Sequence, residues 1–157
     1  MPCFKLSALA LLAASPLLAQ SAAPTVHTTT DLAKLEAKLT AAAKTSPTGY
    51  SSEIIDDFGS ARTLYVVRVH TGDAELHQNW ADQMVVVKGT VILVTGGAIQ
   101  DAHTLPNQPD ETRGPSIDGR KEITLHAGDT VHVPAGLPHW FKVAPGTTAT
   151  FFVFKEK

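Results

Sequence analysis

Four side chains with the chemistry of metal ligands occur in two short stretches of the sequence. The stretches are residues 72–89 (GDAELHQNWADQMVVVKG) and residues 128–140 (GDTVHVPAGLPHW). The four side chains are Glu75, His77, Asp82 and His139. Imidazole nitrogens and carboxylate oxygens are the usual ligands of mononuclear sites for divalent ions such as Mn, Fe and Zn. The residue types therefore predict a divalent metal site, with Glu75 and Asp82 also available as catalytic acid–base groups.

Local geometry is able to bring these ligands together. Residues two apart in an extended strand point the same way, so Glu75 and His77 share a face. A bend through residues 79–81 would return Asp82 beside them, and the tight turn PAGLPH would place His139 opposite. Two carboxylates favour harder ions, and such a ligand set leaves open positions for water or substrate.

Several neighbouring side chains are candidates for a pocket beside the metal. The pocket candidates are Trp80, Gln83, His132 and Trp140. An indole ring supplies apolar area and one hydrogen-bond donor, although both tryptophans could equally pack at the end of the fold. His132 lies in mid-strand and could face either the cavity or solvent. Tyr65, Arg68 and Arg113 are possible substrate contacts, although a charged residue in a strand is more often solvated.

Most of the chain reads as β-structure. Segments rich in Val, Ile, Thr and aromatic residues predict strands at 61–70, 83–89, 90–97, 121–125, 129–134, 139–143 and 148–155. Glycines separate them, and no helical pattern intervenes, which indicates a sandwich or a closed barrel. Residues 102–119 are predicted to form a long irregular loop, either over the barrel mouth or as a plain surface excursion. We therefore expect an all-β domain over residues 50–157.

The first residues are typical of a signal peptide, assigned approximately to residues 1–21. Lys5 precedes an apolar run from Leu6 to Ala14, and small residues follow, so we expect cleavage between Ala19 and Ala23. We then expect the protein to be exported to the periplasm or secreted, and to keep no membrane segment after cleavage. The single cysteine is removed with the leader, so the mature chain has no disulfide or thiolate chemistry.

Residues 22–49 are predicted to be a linker followed by one short helix. Leucines recur at helical spacing, at positions 32, 35 and 39. Thr30 or Asp31 is a suitable N-cap, and the Ser-Pro pair at 46–47 ends the helix. The apolar stripe is narrow, so we expect the helix to lie across the outside of the barrel, with dimer contacts as the alternative.

Charge and composition limit the partners. The chain has 13 basic and 15 acidic residues and no Lys/Arg cluster, which argues against a nucleic-acid partner. A small-molecule ligand or substrate is expected at the predicted metal site instead. The segment TATFFVFK at 148–155 is apolar on both faces, as in a strand covered on both sides. We expect a homodimer in which edge strands of two copies pair.

Both metal-ligand stretches resemble the two motifs of the cupin superfamily. The second motif is matched by Gly128, Pro134, Gly136 and His139, with Val143 in place of the usual Asn. The first motif is matched in spacing by Glu75, His77, Asp82 and Gly89, with Glu for the first His and Asp for Glu. The resemblance covers about residues 60–155, is closest to small exported bacterial cupins, and implies a jelly-roll (double-stranded β-helix) barrel.

The departures from the cupin motifs leave the register and the function open. A rival register aligns His77-x-Asn79 with the motif and uses Gln83 in place of the acid. The resemblance implies a metal-dependent oxidoreductase, lyase or isomerase, with dioxygenase, decarboxylase, isomerase and lyase chemistry all permitted. A non-catalytic barrel that binds a metal or a small polar ligand is the second hypothesis. A structural barrel, in which the acids and histidines satisfy one another without metal, is the third.

Overall fold

The computed structural model describes residues 23–119 and 121–157, so the predicted signal peptide lies outside the described residues. The described residues form one helix, α1 (Thr29–Thr45), and thirteen strands. The strands are β1 (Tyr50–Asp57), β2 (Ala61–Arg68), β3 (Ala74–His77), β4 (Ala81–Lys88), β5 (Thr90–Thr95), β6 (Ala98–Gln100), β7 (His103–Leu105), β8 (Gln108–Gly114), β9 (Ser116–Asp118), β10 (Lys121–His126), β11 (Thr130–Val133), β12 (His139–Lys142) and β13 (Ala149–Glu156).

Two large antiparallel sheets pack around one core in a jelly-roll arrangement. The five-stranded sheet has the order β1-β2-β13-β4-β11, and the six-stranded sheet has the order β10-β5-β12-β3-β8-β7. A small third sheet pairs β6 with β9. The core contains Val66, Met84 and Phe151 from the first large sheet, and Leu93 and Phe141 from the second. Its two halves are contributed by alternate residues of each strand, because successive side chains point to opposite faces.

The helix lies on the outer face of the five-stranded sheet, as the sequence predicts. Leu39 and Ala43 pack there against Tyr65 and Val67 of β2, which places Tyr65 on the helix side of the sheet and away from the core between the sheets. The helix begins earlier than predicted, because the Thr28 side chain caps it by accepting from the Asp31 backbone N–H at 3.2 Å. Within the part of the chain that the structure describes, no helix is long and apolar enough to cross a membrane.

Two regions differ from the sequence expectation. Residues 102–119, predicted to be an irregular loop, instead form β7, β8 and β9, and β8 is a central strand beside β3. The sequence of β8 lacks the apolar pattern of a strand, because its inward-facing residues are polar and line the interior site. The strand β1 was also missed, since its sequence YSSEIIDD is polar, although it pairs along its length with β2.

The position of β13 removes the argument on which the homodimer prediction was based. This strand lies between β2 and β4 in the middle of its sheet, so it is not an edge strand. Its inner face is covered by the core around Phe151 and Val153, and on its outer face Phe152 packs in the α1 cluster, while Phe154 is 41% exposed. A homodimer therefore stays a prediction without support from this segment.

Candidate metal centre

Three adjacent strands of the six-stranded sheet hold one row of polar side chains. Glu75 on β3 is directly opposite His139 on β12 and directly opposite Arg113 on β8. His77, two residues along β3, is opposite Glu111 on β8. Because residues two apart share a face, the whole row points into the interior between the two sheets.

The facing sheet completes the cluster with an ion pair. Asp82 at the start of β4 is directly opposite Lys155 on β13, and Lys155 Nζ donates to Asp82 Oδ1 at 2.7 Å. The other carboxylate oxygen, Oδ2, faces the two histidines of the opposite sheet. It lies 3.5 Å from His77 Nε2 and 3.9 Å from His139 Nε2. Asp82 therefore divides its carboxylate between a lysine and the histidine pair.

The spacing of the ligand atoms suits an ion better than direct hydrogen bonds. Glu75 Oε1 is 3.6 Å from His139 Nε2, and Glu75 Oε2 is 3.9 Å from His77 Nε2. These distances exceed hydrogen-bond lengths. Bonds of about 2.1 Å to one ion place neighbouring ligand atoms roughly 3.0–3.4 Å apart, so a small contraction would close the set. One ligand atom from each of Glu75, His77 and His139 lies within 4.8 Å of the others.

His139 presents an unpaired nitrogen to this space. Its Nδ1 donates to the Leu137 backbone carbonyl at 3.0 Å, which fixes the tautomer of the neutral ring and leaves the Nε2 lone pair directed at the carboxylates. Nε2 is buried and has no hydrogen-bond partner in the described structure. A lone pair that faces Glu75 and Asp82 requires a cation or a proton between them, because two acceptors do not bond each other. The residues present therefore fit a divalent ion.

His77 has an outer partner on its far side. Its Nδ1 is 3.7 Å from Glu111 Oε2, while its Nε2 faces Asp82 and Glu75. A carboxylate behind a metal-binding imidazole orients the ring and raises its basicity, so Glu111 is in position for this role. The backbone also fixes the motif, since the Gly136 N–H donates to the His77 carbonyl at 2.8 Å and ties the PAGLPH turn to β3.

The charges keep Glu75 ionised. Burial alone would raise the pKa of the Glu75 carboxyl, but His139, Arg113 and His77 together hold that pKa well below its usual range. Burial lowers the pKa of His77, which favours the neutral, metal-binding ring. Burial also acts to lower the pKa of His139, but the Glu75 and Asp82 carboxylates outweigh it and raise that pKa.

A cavity of about 610 Å³ opens beside the cluster. Its polar lining includes Glu75, His77 and Asp82, and its apolar lining includes Phe141 and Phe151. Residues 107–110, at the turn into β8, also line it and are exposed to solvent. The cavity therefore connects the candidate ligands to solvent and is large enough for a small molecule.

Comparison with solved structures identifies the fold. No protein-family model matches the sequence, and no curated protein matches it. Oxalate oxidase matches at a TM-score of 0.52 and 16% identity, over 72% of this chain and 53% of that chain. HppE, in its cobalt(II) complex with substrate, matches at a TM-score of 0.50 and 16% identity, over 67% of this chain and 51% of that one.

Both are cupin-superfamily members. The chain has the cupin fold. It spans about half the length of these two proteins.

Within the cupin fold, the two motif registers differ in the side chains that they direct inward. Glu75, His77 and Asp82 all line the cavity. Asn79, on which the rival register depends, is exposed, and Gln83 donates to the Thr130 hydroxyl instead of reaching the cluster. The geometry therefore favours the register with two carboxylates.

Of the four pocket candidates from the sequence, the structure brings only Trp80 to the cavity. Trp140 points to the other face of β12, where it packs near Ala74 and Val94 and its indole N–H donates to the Gly72 carbonyl at 2.6 Å. His132 is exposed on β11, because its neighbours Val131 and Val133 take the inward positions. Gln83, Trp140 and His132 thus lie off the cavity for the same reason, the strict alternation of strand side chains.

Sequence reasoning missed two members of the cluster. Glu111 lies in the segment 102–119 that the sequence predicts to be a loop, and Lys155 ends the predicted apolar strand 148–155, so neither position is predicted to face the site. Arg113, noted as a possible substrate contact, ion-pairs with Glu75 at 2.9 Å and with Glu111. The alternation Glu111-x-Arg113 is the available signal, because two opposite charges on one strand face match a buried polar row.

Proposed function

We propose that this chain is a metal-dependent enzyme that acts on a small molecule inside the cupin fold. The observation that carries the proposal is the buried, unpartnered Nε2 of His139, which faces the carboxylates of Glu75 and Asp82. Glu75, His77 and His139 would hold the ion, and Mn, Fe and Zn all suit two imidazoles with a carboxylate. The set resembles the facial arrangement of two histidines and one carboxylate that leaves other positions open.

The bound ion would act as a Lewis acid that polarises a substrate oxygen. The protein's own groups would bind and orient the substrate and move protons. Asp82 is the carboxylate best placed to accept a proton at Oδ2, since Lys155 holds the other oxygen and fixes the orientation of the group. Dioxygenase, decarboxylase, isomerase and lyase chemistry all remain open. The similarity in fold to an oxalate oxidase and to HppE, whose structure holds cobalt(II) and substrate, supports the proposal of a metal-dependent reaction.

Elemental analysis tests the proposal directly. The mature protein is purified without a nickel column and compared with His77→Ala, His139→Ala and His132→Ala. His132 is the matched control, because it is an exposed histidine off the cavity. We expect about one equivalent of ion in the wild type and in His132→Ala, and a loss of the ion in the other two variants. No ion in the wild type, even after incubation with Mn, Fe or Zn, would overturn the enzyme proposal.

A non-catalytic barrel is the second candidate, and the ion pairs favour it. Lys155 pairs with Asp82, and Arg113 pairs with both Glu75 and Glu111, so each of the three carboxylates has a cationic partner without an ion, although two cations face three carboxylates. This candidate predicts a wild type that folds normally without metal. His139→Ala would then change thermal stability and leave metal content unchanged.

We further propose that the protein is exported and works in the periplasm or outside the cell. This proposal is based on the sequence of residues 1–21. Intact mass of the secreted protein tests it, with a new N-terminus expected between Ala19 and Ala23. A full-length mass that includes Met1 would overturn it.

A further inference from the structure

A second charged group lines the same cavity, and among the described residues it has no carboxylate within ion-pair distance. Arg68, the last residue of β2, is only 3% exposed, and its side chain points inward with those of Leu64 and Val66. Its Nε has no hydrogen-bond partner. Among residues 23–119 and 121–157, no carboxylate oxygen lies within 4.0 Å of its guanidinium. A buried charge without a counter-charge is costly, so a group of this kind is usually completed by a ligand or water.

The guanidinium of Arg68 is held in place by its surroundings. Tyr50 is directly opposite Arg68 on β1, and the Arg68 Cζ lies 5.2 Å from the centre of the Tyr50 ring. The Tyr50 hydroxyl donates to Ser52, which fixes the ring under the cation. On the other side, a Cβ at Gly72 would lie 2.6 Å from Arg68 Nη1, so the absence of a side chain there leaves room for the guanidinium.

The other cations of the cavity already have carboxylate partners. Among the described residues, Arg68 is the one cavity-lining cation without such a partner. The pairs are Arg113 with Glu75 and Glu111, Lys155 with Asp82, and Arg62 with Asp57. Arg113 is shared by two carboxylates, so the cavity carries no excess of positive charge. The guanidinium of Arg68 is nevertheless the cationic group that is left to pair with a ligand.

We propose that Arg68 binds the carboxylate of a small organic acid, which makes carboxylic acids the substrate class of this site. The planar guanidinium matches the two oxygens of a carboxylate, and a single unpaired charge matches a monoanion better than a phosphate dianion. The inference rests on the proposed function in one respect only, that the end of the organic acid away from Arg68 would reach the ion at Glu75 and His77. The anion site itself belongs to the protein, with or without metal.

Side-chain NMR of ¹⁵N-labelled protein tests the inference, with propanoate as the probe and propanamide as its uncharged isostere. The protein is titrated as purified and again after dialysis against a chelator. We expect the Arg68 Nε–H resonance, identified by its loss in Arg68→Lys, to shift saturably with propanoate and not with propanamide. An equal response to propanamide would overturn the inference, as would tighter binding of inorganic phosphate.

Two variants complete the test. In Arg68→Met, the propanoate dissociation constant followed at the Gly72 amide should rise at least about tenfold, because charge-assisted bidentate hydrogen bonds are lost. Arg62→Met is the matched control, a cavity-lining arginine that already has a partner, and should stay within about twofold. An unchanged constant in Arg68→Met would overturn the inference. If Arg68→Met does not fold, the difference between propanoate and propanamide binding to the wild type still tests the inference.

The two proposals fail separately. If the protein binds no metal, propanoate should still bind at Arg68, also after chelation. If propanoate does not bind at Arg68, the metal content of the wild type and of His77→Ala should still be as expected above.

Discussion

Glu75 and His139 are direct partners on β3 and β12, and Glu75 Oε1 lies 3.6 Å from the unpaired Nε2 of His139. The pair joins the two halves of the candidate centre, because each residue comes from a different sequence motif. The register of one strand pair therefore decides whether the two motifs form one site.

Glu75→Gln tests the charge of this pair. The amide keeps the shape of the side chain but removes the negative ligand. Loss of a mere outer partner of a metal ligand lowers metal affinity about tenfold to hundredfold, so the affinity for Mn²⁺ should fall by at least that much. Titration calorimetry measures it. Glu53→Gln changes a half-buried acid on β1 that pairs with Lys38, away from the cluster; it is the control and should keep wild-type affinity. Wild-type affinity in Glu75→Gln would remove Glu75 from the ligand set.

The metal affinity should fall as the pH is lowered from about 8 to about 6, because a proton competes for the histidines in this range. Burial lowers the pKa of His139, but Glu75 and Asp82 outweigh it, so the ring holds its proton at a higher pH than an ordinary histidine. The loss of affinity should therefore begin above pH 6.5, the ordinary histidine value, and His77, whose pKa is lowered, should contribute only at lower pH. Zn²⁺ titration at a series of pH values measures this. A flat profile would exclude histidine ligands.

Lys155→Met should destabilise the metal-free protein through Asp82. The side chains are 19% and 5% exposed, so removal of the lysine leaves a buried carboxylate without its cation. We expect a loss of about 2–4 kcal/mol in the free energy of unfolding. Urea denaturation measures it, and Lys155→Met/Asp82→Asn should recover part of the loss. Added metal should also stabilise Lys155→Met more than wild type. Equal stability of wild type and Lys155→Met would show that the ion pair contributes nothing.

Gly97→Ala should disturb the turn that leads from β5 of the six-stranded sheet to β6 of the small third sheet. Gly97 has φ +70°, and a Cβ there would overlap the Asp118 carbonyl oxygen of β9. Backbone strain and the clash together should cost at least about 2 kcal/mol in the free energy of unfolding. Gly96→Ala is the control, since Gly96 has φ +76° but open space around its Cβ position, and should cost only about 1 kcal/mol. Thermal denaturation compares them, and equal losses would contradict the role of the close approach.

The sequence predicted the fold class, and it named three of the side chains that the structure brings together as candidate ligands, because both depend on local patterns. Alternation of apolar residues identifies strands, and the spacing Glu75-x-His77 places both on one face in any register of the sheet. His139 follows a Pro/Gly turn whose geometry is also local. The same local rule would have placed His132 outward between two inward valines, but the sequence alone does not state which face is the interior.

What the sequence determined by itself is the pair of motifs, the all-β architecture and the helix on its outer face. Only the tertiary structure decided that β8 pairs with β3, that Glu111 and Arg113 thereby join the cluster, and that Lys155 neutralises Asp82. Side-chain alternation is a property of one strand, whereas pairing between strands more than thirty residues apart depends on which sheet order buries the most apolar surface. For that reason, an isolated cation such as Arg68 is recognisable only once its neighbours across the cavity are in place.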